Sequence, residues 1–104
     1  MDRIEKLKDF LKENREDSFL CHALALEYIK LRDDEKAQPL FEVILEREPG
    51  YIGTYYHLGK LLEREHKKQE AIHIYERGMI ESKKVNDMHT YNELQGAWED
   101  LTDL

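Results

Sequence analysis

One cysteine, two prolines and five glycines in 104 residues are the scarcest features of this chain, and each scarcity excludes something. Cys21 alone cannot close an internal disulfide, which excludes the stapled frameworks of small secreted domains and makes a reducing, cytoplasmic location the default expectation. Few helix breakers leave long runs uninterrupted, and no run alternates apolar and polar residues with period two, so no sheet is expected. The chain also lacks an apolar stretch near the ~20 residues of a membrane span. Its first residues, Met1-Asp2-Arg3-Ile4-Glu5-Lys6, alternate in charge and resemble neither a secretory signal nor a transit peptide. A basic excess is missing too: 23 acidic against 16 basic residues give a net charge of −7. A surface committed to polyanions is thereby excluded, and no nucleic acid or membrane partner is expected.

Catalytic signatures are equally thin. There is no glycine-rich phosphate loop and no Ser-His-Asp set, and pairs such as Asp33-Asp34 or Glu63-Glu65 lie in hydrophilic stretches with nothing to perturb them. The five histidines, His22, His57, His66, His73 and His89, include no two that stand three or four apart on one helix. No catalytic residue, metal or cofactor is expected, and Cys21 reads as a small buried hydrophobe.

What is present is helical patterning. Forty per cent of residues are hydrophobic and 38% charged, with apolar positions recurring at three- and four-residue spacing. Ile4, Leu7, Phe10 and Leu11 mark the stripe of a first helix that ends near Asn14. Further helices are expected over about 18–31, from the Asp33-Asp34 cap to 47, over 52–65, 69–84 and 87–101, with Pro49-Gly50 stopping the third. Pro39 falls near the start of that third helix, tolerable in a first turn and distorting further in. Met88, Tyr91, Leu94, Trp98 and Leu101 form the apolar face of the sixth.

Self-comparison finds a repeat. A shift of 34 residues superposes Cys21 on Tyr55, Leu24 on Leu58, Ala25 on Gly59, Tyr28 on Leu62, Ala37 on Ala71, Phe41 on Tyr75 and Glu42 on Glu76. Each unit is then a helix, a short turn and a second helix, with small residues where two backbones must approach. The pattern resembles the tetratricopeptide repeat: a large residue, Leu and a small residue, an aromatic, then Ala, an aromatic and Pro in the second helix. The first unit, 18–51, carries Cys21, Leu24, Ala25, Tyr28, Ala37, Phe41 and Pro49. The second, 52–85, carries Tyr55, Leu58, Gly59, Leu62, Ala71, Tyr75 and Gly78. Lys83 stands in place of the closing proline, so the fifth helix is expected to run on.

The resemblance implies an all-α fold of antiparallel helix-turn-helix repeats in a superhelix. The expected organisation is one domain over 1–104: an N-terminal helix (1–17), two repeats and a C-terminal capping helix (86–104). Two repeats are fewer than such arrays need, so the flanking helices are expected to help close the core. In similar proteins the first helix of each repeat lines a concave groove that holds a peptide. Here that side would present Phe19, His22, Leu26 and Ile29 from the second helix and Tyr56, His57 and Lys60 from the fourth. Phe19, Leu26, Ile29 and Tyr56 would supply apolar contact, and Lys60 with His57 or His22 would meet a ligand carboxylate. The family's carboxylate clamp uses Lys and Asn at fixed groove positions; His22 and Leu26 stand at the first pair, which argues against that mechanism. Two alternatives stay open: a scaffold for a foreign peptide or protein, or a homodimer or self-closed module whose own helices or second copy fill the groove.

Overall fold

Aspartates open four of the helices. The computed structural model describes residues 2–103, and among these the elements are α1 (Arg3–Glu13), α2 (Ser18–Lys30), α3 (Asp34–Arg47), α4 (Gly53–Arg64), α5 (Lys68–Lys84) and α6 (Met88–Thr102), with no strand. Asp2, Asp17, Asp33 and Asp87 cap α1, α2, α3 and α6, each carboxylate accepting the backbone N–H of the residue three further on. Each such cap contributes about 1 kcal/mol. The ends of the expected domain, Met1 and Leu104, lie outside the described residues.

The repeat-matched positions are the packing positions. Cys21, Leu24, Ala25 and Tyr28 of α2 are buried, and so are their counterparts Tyr55, Leu58, Gly59 and Leu62 of α4. Ala37 and Phe41 of α3, and Ala71 and Tyr75 of α5, are wholly enclosed. Cys21 is the buried small hydrophobe expected of it, with the Arg47 guanidinium 3.6 Å from its Sγ.

The chain divides into two compact units, Met1–Glu48 and Pro49–Leu104. In the first, α2 packs against α3 and against α1. Ser18 Oγ donates to Glu48 Oε1 (2.7 Å), and Arg47 donates to the Arg15 carbonyl (3.1 Å), tying the start of α2 to the end of α3. In the second, α5 lies against both α4 and α6. Two glycines permit this: a Cβ on Gly59 would overlap the Tyr75 ring, and one on Gly78 would meet Tyr55 Cβ at 2.7 Å and Leu94 Cδ1 at 2.8 Å. Tyr75 hydroxyl donates to the Glu63 carboxylate and Tyr55 hydroxyl to the Pro49 carbonyl.

Three connections share one geometry that composition alone conceals. Arg32, His66 and Asn86 each adopt left-handed backbone, with φ of 60°, 61° and 61°. The residue after each donates its N–H five residues back, Asp33 to Tyr28, Lys67 to Leu62 and Asp87 to Ser82, all at 2.9 Å. This helix-terminating turn normally takes glycine, because a Cβ in that region costs about 1 kcal/mol.

Some expectations need correcting. Phe10 is 58% exposed: α1 packs against α2 with Leu7 alone of its apolar stripe buried, and Phe10 at one edge of that stripe stays outside the contact. Met88 is likewise 43% exposed, while Ala97 joins Leu94 in the buried face of α6. Pro39 lies in the second turn of α3, yet the helix continues to Arg47. Proline has no N–H to give to the Glu35 carbonyl, and both residues are exposed. The fifth helix does run on: α5 has 17 residues to the 14 of α3.

Candidate partner-binding faces

The first unit brings three of the expected residues together. Phe19, His22 and Leu26 line a shallow depression of about 370 Å³, joined by Ala23, Glu27 and Lys30 of α2 and Arg3 of α1. Positions four and seven apart on a helix share a face, so Phe19, Ala23, Leu26 and Lys30 make a continuous stripe. Phe19 is 67% exposed at its start, and Leu26 is half-buried within it. Ile29, expected beside them, is half-buried but does not line the depression. The His22 ring packs 5.8 Å from the Phe41 ring of α3, which turns it partly away from solvent.

The polar rim of this depression is a single carboxylate between two cations. Glu27 Oε2 receives Lys30 Nζ at 3.0 Å and Arg3 Nε at 3.2 Å. Lys30 and then Arg3 hold the Glu27 carboxyl below its ordinary range. The cluster carries a net positive charge beside apolar surface. The i,i+3 spacing of Glu27 and Lys30 was a signal available in the sequence. That Arg3 joins them depends on α1 folding over α2.

On α4 of the second unit, Tyr56 and Lys60 form one patch. Lys60 Nζ lies 5.5 Å from the centre of the Tyr56 ring and 3.6 Å from the Glu63 carboxylate. His57 meets Tyr56 edge-on, with ring centres 5.9 Å apart. Burial pushes the His57 imidazole below its ordinary value; nearby Glu93 of α6 pulls the other way and Arg64 reinforces the shift. His57 is therefore neutral at pH 7 and keeps hydrogen bonding, not charge, as its contribution. Among the described residues no group of three His, Cys, Asp or Glu side chains could hold a metal ion, and no helix is long and apolar enough to cross a membrane.

No family model matches the chain, and no curated protein matches it. Solved structures do. A tetratricopeptide repeat domain protein from Salinibacter ruber, seen by solution NMR, is 39% identical over 85% of this chain and 89% of its own, with a TM-score of 0.80. The chain belongs to the tetratricopeptide repeat family. A crystal structure from the same organism, also of a tetratricopeptide repeat domain protein, is 38% identical over 84% of this chain and 98% of its own, again with a TM-score of 0.80. A Bordetella parapertussis protein is 23% identical over 97% of this chain and 88% of its own, with a TM-score of 0.82, a likeness of fold alone.

Proposed function

We propose that this tetratricopeptide repeat protein is a non-catalytic scaffold that binds a peptide or protein segment through the first helices of its repeats. The division into a leading helix (1–17), repeats over 18–51 and 52–85, and a closing helix (86–104) is part of the same reading. The observation that carries it is Phe19: a large aromatic, 67% exposed, continuous with Leu26 in a depression whose rim is net cationic. Isolated exposed apolar residues are ordinary, but one that heads an apolar stripe beside charged groups is the usual make-up of a recognition surface. On this reading Phe19 and Leu26 bury an apolar side chain of the ligand, with Ile29 at their margin. Arg3 and Lys30 receive a carboxylate, and His22 and His57 offer hydrogen bonds. Tyr56 with Lys60 forms the corresponding contact on α4.

The test uses affinity capture with the full chain and its Leu26→Glu and Tyr56→Ala variants, identifying bound proteins by mass spectrometry. A specific partner held by the wild type and lost by both variants, with helical circular dichroism unchanged, supports the reading. Retention by both variants refutes it, and loss of helicity places these residues in the core instead. The competing reading, a homodimer that buries the same exposed residues, is separated by sedimentation. A monomer at high micromolar concentration removes it.

A further inference from the structure

The last helix pair of the second unit leaves a position unfilled. Tyr91, Leu94 and Trp98 of α6 have the spacing of Tyr55, Leu58 and Leu62 of α4, the helix that α5 packs against, and those three are 0%, 2% and 4% exposed. On α6, Leu94 is buried against Gly78 of α5, whereas Tyr91 and Trp98 stay half-exposed. They line, with Glu76, Met79, Ile80 and Lys83 of α5, an apolar groove of about 300 Å³. Ile80 is 58% exposed there. In spacing α6 matches the first helix of a repeat, and among the described residues no further helix lies against it as α5 lies against α4.

The charge around the groove is polar along its length. At the Trp98 end the indole N–H donates to Glu76 Oε2 at 3.1 Å, and Trp98 shares a second depression with Glu99 and Asp103. At the Tyr91 end Lys83 Nζ sits 5.4 Å from the centre of the Tyr91 ring. From 86 to 104 the sequence contains five acids and no Lys or Arg, so nothing on α6 neutralises the acidic end. The C-terminal end of the α6 dipole adds to that negative potential.

We propose that the α5–α6 groove docks an amphipathic helix of a partner protein, one with a continuous apolar stripe and Lys or Arg residues in its N-terminal half. Short turns make consecutive helices here antiparallel. An occupant placed against α6 as α5 is against α4 therefore brings its N-terminus to the Trp98 end. Its cations and the positive end of its dipole then meet Glu76, Glu99 and Asp103, and its C-terminal half meets Lys83. Gln95 stands where α4 has Gly59, so the occupant rides further from α6 than α5 does from α4, held by side-chain contact with Ile80, Met79, Tyr91 and Trp98. This surface shares no residue with the α2 and α4 faces proposed above.

Trp98 is the only tryptophan in the chain and reports the groove directly. Two synthetic helical peptides, each as long as α6 and with Leu at i, i+3, i+4 and i+7, are titrated into the full chain. One carries Lys in its N-terminal half, the other Glu. The expected result is a saturable blue shift of Trp98 emission with the Lys peptide, binding about tenfold weaker for the Glu peptide, and loss of the difference at high salt. Ile80→Asp, which alters an exposed side chain, weakens the Lys peptide about tenfold with helical circular dichroism unchanged. The proposal is overturned by absence of a saturable shift, by equal binding of the two peptides, or by an Ile80→Asp variant that folds and binds as wild type. A concentration-dependent dimer that Ile80→Asp dissolves also overturns it, in favour of a second copy as the occupant.

Discussion

Gly78→Ala and Gly96→Ala are chemically identical changes in helices, and the structure gives them opposite signs. In an open helical position, alanine stabilises relative to glycine by about 1 kcal/mol, because glycine loses more backbone freedom on folding. Gly96 of α6 is such a position, exposed and with nothing within 4 Å of an added Cβ. At Gly78 the same methyl would stand 2.7 Å from Tyr55 Cβ and 2.8 Å from both Tyr55 Cγ and Leu94 Cδ1. Both neighbours are 0% exposed, one on α4 and one on α6, so α5 cannot shift from one without closing on the other. Overpacking of this kind costs about 1–3 kcal/mol, and Cβ and Cγ atoms near a backbone cannot swing aside. Against the propensity gain, Gly78→Ala is expected to destabilise by about 1–2 kcal/mol, and Gly96→Ala to stabilise by up to about 1 kcal/mol. Urea unfolding followed at Trp98 fluorescence and by far-ultraviolet circular dichroism measures both, and the thermal midpoint should move by about 4–8 °C per kcal/mol. A Gly78→Ala variant as stable as Gly96→Ala would refute the claim that the glycine exists to let three helices meet.

Two further outcomes follow from the turns and the buried tyrosines. His66→Gly removes a Cβ from a left-handed residue that is exposed, and is expected to raise stability by about 0.5–1 kcal/mol, while His66→Ala should not; urea midpoints of the two variants decide it. Tyr75 has its hydroxyl pushed well above its ordinary value of 10.0, first by burial and then by its bond to Glu63, so the folded state holds the proton that the unfolded state gives up. Stability is therefore full below pH 10 and declines as pH rises above it, and Tyr75→Phe should flatten that alkaline decline, read from unfolding midpoints across the range. An unchanged slope in Tyr75→Phe would assign the decline to Tyr55, whose hydroxyl burial also raises.

The helices, the Asp33 cap of α3 and the repeat were legible because each depends on local chemistry. An Asp three residues before a free N–H, an apolar residue every third or fourth position and a 34-residue match need no knowledge of where the chain goes. The small residues were legible too, since Gly59 and Ala25 occupy one repeat position and both are buried. The left-handed turns were hidden because Arg32, His66 and Asn86 share a backbone conformation but no residue type. The local five-back hydrogen bonds, not the side chains, hold them there.

The candidate faces divide along the same line. Sequence spacing alone placed Phe19, His22 and Leu26 on one side of α2, and Tyr56 with Lys60 on one side of α4, since helical periodicity is a property of neighbours in the chain. Tertiary packing decided how each could be used. Contact between α1 and α2 brings Arg3 to Glu27, contact between α2 and α3 sets His22 against Phe41, and α6 places Glu93 near a His57 that burial keeps neutral. Packing against α5 also split the α6 stripe, burying Leu94 and leaving Tyr91 and Trp98 to line a groove. Periodicity says which side chains share a face. Only the helices that arrive from elsewhere in the chain determine how much of that face is covered, because burial is a sum over distant segments.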